Sequence, residues 1–148
     1  MKLKQLPASP DAGLLLTRLM LAVVFTFHGS QKLFGLFGGY GIEGTAGFFE
    51  QLGMPFPTAS VVLAGGTELF GGLALALGIF ARPAALGLAG TMFVAAFSAH
   101  TGFNSQTGGM EYPLTLAVLS LALAVSGSGR LALRPIPAVD VAPRPVTV

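Results

Sequence analysis

The chain has no cysteine among its 148 residues, and only 9% of them are charged. Without cysteine there is no disulfide, no thiolate nucleophile, no iron-sulfur ligand set and no structural zinc of the usual kind. Any redox chemistry must therefore come from a bound molecule. The eight basic and six acidic residues leave a net charge of only +2, with the basic ones scattered, so no nucleic-acid footprint is drawn and nucleic acid is excluded as a partner. What the chain has instead is apolar mass. It is 53% hydrophobic with a mean hydropathy of +0.76, more than a soluble domain of this length can hide from water.

Four stretches have the length and polarity to cross about 30 Å of hydrocarbon, which takes about 20 helical residues. They are Gly13 to Phe34, Thr58 to Phe80, Pro83 to Ala99 and Tyr112 to Val125, the last two shorter and dependent on their flanks. The fold class expected is an all-α membrane protein, a four-transmembrane-helix bundle. Met1 to Lys4 before an apolar run imitates a signal peptide, but Arg18 interrupts the run and no small-residue cleavage site follows, so this reads as a retained first span. Only Ala81-Arg82 separates spans two and three, with Pro83 suited to a first helical turn, which predicts a tight hairpin.

Basic residues fix the expected orientation. Lys2 and Lys4, Arg82, and Arg130, Arg134 and Arg144 all fall on one side, whereas the loops Gly35 to Pro57 and Thr101 to Glu111 hold Glu43, Glu50 and Glu111 and no Lys or Arg. The expectation is a multi-pass protein of the plasma or inner membrane with both ends in the cytoplasm. Within the first outer loop, Thr45 to Leu52 reads as a short helix lying at the interface or folding back over the bundle. Residues 1–134 form the expected membrane domain, and 135–148, rich in proline, a disordered cytoplasmic tail.

Charge in hydrocarbon costs a few kcal/mol and is kept where it is paired or functional. Six ionisable residues lie in or beside the spans: Arg18, His28, Lys32, Glu68, His100 and Glu111. Arg18, Phe25 and Lys32, seven residues apart, form with His28 a stripe that should face the interior. Glu68, near mid-membrane, has no cation on its own span, so its partner is Arg18 from below or His28 and Lys32 from above. His28, Lys32, His100 and Glu111 are expected to gather at the outer mouth.

Each residue also has a plain structural role open to it. Arg18 with Glu68 would lock two helices, Lys32 would snorkel to the interface, His100 would be an interfacial polar residue, and Glu111 would suit a helix dipole. The two histidines would suit haem, and with Glu68 and Glu111 a metal ion, but the spacing is diagnostic of neither and no metal centre is expected. Gly65, Gly66, Gly71 and Gly72 around Glu68 serve close helix packing, or else a flat wall for a planar ligand. Phenylalanines including Phe25, Phe27, Phe48, Phe49 and Phe70 are packing residues and interface anchors, numerous enough on the outer half to line a quinone or lipid-headgroup pocket.

The run His28-Gly29-Ser30-Gln31-Lys32-Leu33-Phe34-Gly35 at the end of span one resembles the opening signature of the DoxX family of bacterial membrane proteins. Leu52-Gly53-Met54-Pro55, Glu68-Leu69-Phe70-Gly71-Gly72, Leu77-Gly78-Ile79-Phe80-Ala81-Arg82, His100 and Gly109-Met110-Glu111-Tyr112-Pro113 follow in the family's order. The resemblance spans about Leu14 to Gly129. It implies a four-helix membrane bundle and matches all six ionisable residues to the family's polar positions. The family is named from a subunit of an archaeal thiosulfate:quinone oxidoreductase, and relatives are associated with membrane redox and oxidative-stress complexes.

The resulting expectation is a redox-associated subunit that binds a quinone-like molecule, with no covalent cofactor, in the outer half of the bundle. His28, Glu68 and His100 would carry the chemistry, and Arg18, Lys32, Glu111 and Tyr112 would bind the ligand, with Glu68 and Glu111 relaying protons. If the chain is an enzyme, it is one as a quinone-linked oxidoreductase subunit. The expected partners are the lipid bilayer and a redox subunit. Two other readings stand beside this one: a non-enzymatic scaffold or adaptor with a structural polar core, and a small-solute or proton pathway, which four short spans would form only as a homo-oligomer.

Overall fold

A computed structural model describes residues 10–135. Five α-helices account for most of them: α1 Pro10–Phe34, α2 Gly41–Gln51, α3 Pro57–Leu77, α4 Ala81–Ser98 and α5 Glu111–Ser126. Single turns of tighter helix, Leu36–Gly38 and Ser105–Thr107, lie in the connections. Helices α1, α3 and α4 are long and apolar enough to cross a membrane, and α5 is an apolar helix of 16 residues. The expected tail lies, apart from Pro135, outside the described residues.

The surface is inverted relative to a soluble protein. Leu16, Met20, Val23, Leu63, Phe70, Phe97 and Val125 are each more than half exposed, while Arg18, Glu68 and Ser120 are buried. An apolar exterior with the charged side chains kept inside is the arrangement that hydrocarbon solvent selects. The chain is a helical membrane protein.

The bundle is built from two tight pairs, α1 with α3 and α4 with α5, which meet along α3 and α4. Glycine makes the first pair. A side chain on Gly29 would fall 2.5 Å from the Leu69 backbone nitrogen, so only hydrogen at this position lets α1 and α3 lie backbone to backbone. In the second pair, the small buried residues Ala81, Ala85, Ala89, Ala96, Ala117 and Ala124 serve the same end, with Leu88 and Leu123 filling the space between. The span glycines that the sequence left between packing and a planar wall divide accordingly. Gly65, Gly71 and Gly72 abut Leu33, Leu88 and Thr26, and Gly66 has nothing within 4 Å.

Four boundaries differ from expectation by two residues or more. The α3–α4 turn is Gly78 to Phe80, not Ala81-Arg82: Gly78 takes the left-handed conformation at φ 70°, which ends α3 three residues early, and α4 starts at Ala81. Pro83 sits inside the first turn of α4, where no intrahelical N–H bond is required. Helix α1 starts three residues before Gly13, at Pro10. The loop helix begins at Gly41 rather than Thr45, and it folds back against α3 and α1.

The end that carries the chain termini is tied together. Arg18, 1% exposed, donates from Nη1 to the Ser128 carbonyl and from Nη2 to the Leu131 carbonyl, both at 2.7 Å. Asp11 Oδ1 accepts from the Arg130 backbone at 2.8 Å, and the Leu133 amide donates to Leu77 at 3.0 Å. The segment after α5 is thereby stitched to α1 and α3.

Candidate functional site

The opposite end is hollow. A cavity of about 570 Å³ lies there, floored by Phe25, Met92 and Leu116 and roofed by Phe48, Phe49, Leu52 and Met54 from α2 and the segment after it. His28, Lys32, Glu68, His100 and Tyr112 all contribute to its wall. The polar groups thus converge from α1, α3, α5 and the end of α4 onto a chamber that is otherwise apolar.

The close approach at Gly29 sets the central contact. With no side chain at Gly29 or Gly65, Lys32 of α1 stands over α3, and a Cβ on Gly65 would lie 3.2 Å from its Cβ. Its ammonium then reaches Glu68 Oε2 at 2.6 Å. Glu68 is 1% exposed and Lys32 24%, so the carboxylate is the deep member and the lysine the one nearer water. Lys32 is therefore turned inward to an ion pair rather than outward to the interface. Of the partners open to Glu68, the structure selects Lys32, and Arg18 is committed to the Ser128 and Leu131 carbonyls instead.

Both histidines are held by one ring nitrogen. His28 Nδ1 lies 3.0 Å from Gln31 Oε1, one turn along α1, and the Gln31 amide nitrogen in turn donates to the Phe37 carbonyl at 3.3 Å. His100 Nδ1 lies 2.8 Å from the Ala95 carbonyl. Each Nδ1 faces an oxygen acceptor and so carries the proton, which leaves Nε2 of the neutral ring as a lone-pair acceptor. His28 also stands edge-on to Tyr112 with ring centroids 6.5 Å apart, and edge-on to Phe27 at 5.4 Å.

Two residues expected in this group are elsewhere. Arg18 is not part of the cavity wall; its guanidinium is used up at the other end of the bundle, apart from an Nε with no partner. Glu111 does not face the chamber either, because its carboxylate caps the neighbouring loop, accepting from both the backbone nitrogen and the hydroxyl of Ser105 at 3.1 Å. The proposed relay between Glu68 and Glu111 has no geometric basis. Among the described residues, no three histidine or carboxylate side chains cluster closely enough to hold a metal ion.

Residues that the sequence reading passed over complete the chamber. Gln31 orients His28, and its position three residues on in the same helix was the available signal. Gly87, Gly90, Thr91 and Val94 line the α4 side. Their helical spacing would have marked them as one face. Of the phenylalanines, Phe25, Phe48 and Phe49 line the cavity, while Phe34, Phe37, Phe56 and Phe70 are exposed.

Comparison with known proteins gives a consistent result. The family model described as DoxX matches residues 13–101. The protein of Bacillus subtilis (strain 168) named "Putative oxidoreductase CatD" is 32% identical over 125 residues, covering 84% of this chain and 87% of its own. The Escherichia coli (strain K12) protein named "Inner membrane protein YqjF" is 30% identical over 122 residues, covering 80% of this chain and 87% of its own. No solved structure matches the chain.

Proposed function

This chain belongs to the DoxX family of membrane proteins, and from that premise we propose that it is a redox-associated membrane subunit binding a quinone-like molecule in the cavity at its loop-bearing end. The observation that carries the reading is the cavity itself. Two histidines, a lysine–glutamate pair and a tyrosine converge on one apolar chamber large enough for a substituted ring. The name of the Bacillus subtilis relative, an oxidoreductase, supports the redox part of this reading.

The roles follow from the donors and acceptors present. The Lys32 ammonium, with protons beyond the one given to Glu68, donates to a quinone carbonyl. His28 and His100, with Nδ1–H engaged, present Nε2 to accept the hydroxyl proton of the reduced form. Tyr112 offers a hydroxyl at the wall, and Phe25 and Phe49 give the ring a surface to lie against. A quinone held there would supply two-electron chemistry, for which Lys32, His28, His100 and Tyr112 would hold the ring and exchange its protons.

In this reading α5, about 24 Å long at the helical rise, completes a fourth crossing with help from its flanks. The bias of the basic residues supports, in the same reading, both ends of the chain in the cytoplasm and the cavity in the outer half of the bilayer. The test is solvent extraction of gently purified protein with mass spectrometry, together with thermal unfolding in the presence of added quinone. A co-purifying quinone and stabilisation of about 2.7 kcal/mol at a hundredfold excess over Kd are expected. Failure of both measurements would overturn the reading.

A further inference from the structure

The cavity is walled more deeply toward α1 and α5 than toward α3 and α4. Toward α1 and α5 the deep part of its wall is buried, with Phe25 1% and Leu116 7% exposed, and Tyr112, 48% exposed, reaches the surface only at the mouth. Toward the seam between α3 and α4, residues that line the cavity also stand on the outer surface: Leu63 is 73% exposed, Val94 53%, and Gly87, Gly90 and Ser98 are exposed as well. A continuous row of residues that belong both to the chamber wall and to the outside marks an opening, and the α3–α4 seam carries that row.

The seam widens away from the α3–α4 turn. Near the turn it is tight, for a Cβ on Gly71 would meet the Leu88 side chain at 3.0 Å. Across from it, a Cβ on Gly87 would meet Thr67 at 3.3 Å, and a Cβ on Gly90, one turn further, would meet nothing within 4 Å. From Gly87 to Ser98 the opening runs about 16 Å along the helix, inside a segment apolar enough to cross a membrane, so it gives onto hydrocarbon.

Its polarity fits that position. Three of the hydroxyls along the seam are bonded back to backbone carbonyls: Thr91 to Gly87 at 3.1 Å, Ser98 to Val94 at 2.6 Å and Ser60 to Pro55 at 2.8 Å. A shallow apolar groove on α3, including Val62 and Gly66, shares Leu63 and Thr67 with the cavity and continues the same path. Meanwhile the roof from α2 covers the side away from the membrane core.

We propose that the α3–α4 seam is a lateral doorway, and that the molecule held at Lys32 and Glu68 carries a hydrocarbon tail that lies in this seam, so that it enters from the bilayer and not from water. Gly90 sets the width of the doorway. The inference rests on the reading of the chamber as a quinone headgroup site, and the experiment separates the two.

The protein in phospholipid nanodiscs is titrated with two naphthoquinones that share a ring system, menadione without a tail and menaquinone-4 with one, using wild type and Gly90→Phe. Gly90 has an ordinary helical backbone and open space at its Cβ, so the variant folds. Gly90→Phe should weaken menaquinone-4 by about tenfold, the scale on which steric overpacking acts, and leave menadione within about twofold. Equal loss for both, or no loss for either, overturns the doorway. If neither quinone binds wild type, the headgroup reading fails, and the doorway is judged by a phospholipid with a diazirine on its acyl chain. Labelling of Phe25 and Met92, which only a chain inside the cavity reaches, with reduction in Gly90→Phe, upholds it. Labelling confined to outward residues such as Phe70 and Phe97 overturns it.

Discussion

The two ends of the bundle both bury charge in a membrane-spanning helix, and they do opposite things with it. At the terminus-bearing end, Arg18 spends its guanidinium on two fixed carbonyls and does not line the chamber. At the loop-bearing end, Lys32 and Glu68 hold each other at the edge of a chamber of about 570 Å³. A buried charge is therefore no sign of a site by itself. What separates the structural case from the functional one is whether empty, accessible space lies against it.

The sharpest way to break this contrast is at Arg18. Arg18→Met removes the donor from one buried and one part-buried carbonyl, so a loss of about 1–3 kcal/mol in unfolding experiments in detergent is expected, with quinone affinity of the surviving folded fraction unchanged. A quinone defect without a stability defect would place Arg18 in the site after all. Next comes Glu68→Gln, which removes the anion from a partly exposed lysine. A loss of about 1–3 kcal/mol is expected, less than for a fully buried pair, together with loss of quinone-induced stabilisation.

The double replacement Lys32→Met with Glu68→Leu sharpens the same contrast. Apolar residues of similar volume should restore stability to within about 1 kcal/mol of wild type but not restore binding. Recovery of both would reduce the pair to helix glue. The smallest effect belongs to Glu111→Gln, which disturbs only the Ser105 loop: stability within about 1 kcal/mol and ligand affinity within about twofold. A tenfold loss of quinone affinity on titration would return Glu111 to the chamber.

Much of this architecture was readable from the chain. Apolar run lengths located the helices because hydrocarbon imposes one length on all of them. The stripe Arg18, Phe25, His28, Lys32 was correctly read as inward-facing, since Arg18 and Phe25 are each 1% exposed. Which residue paired with Glu68 was not readable. It depended on the 2.5 Å clearance at Gly29, a property of two helices at once, and helical rise along either one cannot supply it. Arg18 was misplaced for a related reason: its partners are the backbone carbonyls of Ser128 and Leu131, and backbone groups leave no mark in the side-chain sequence; Glu111 is held by Ser105 through both its backbone nitrogen and its hydroxyl. The early end of α3 had a visible cause in Gly78, passed over because the run stays apolar through Phe80.

The partners of Arg18 lie 110 and 113 residues further along the chain. During synthesis, α1 enters the membrane long before those carbonyls exist, so its guanidinium has no native partner until the last helix has been delivered. Assembly thus has a built-in completion step, in which the first helix becomes comfortable in the bilayer only once the chain beyond Ser126 has come back to meet it. A nascent protein arrested before Leu131 would expose an unsatisfied cation within the membrane, the kind of defect by which quality-control machinery tells unfinished bundles from finished ones.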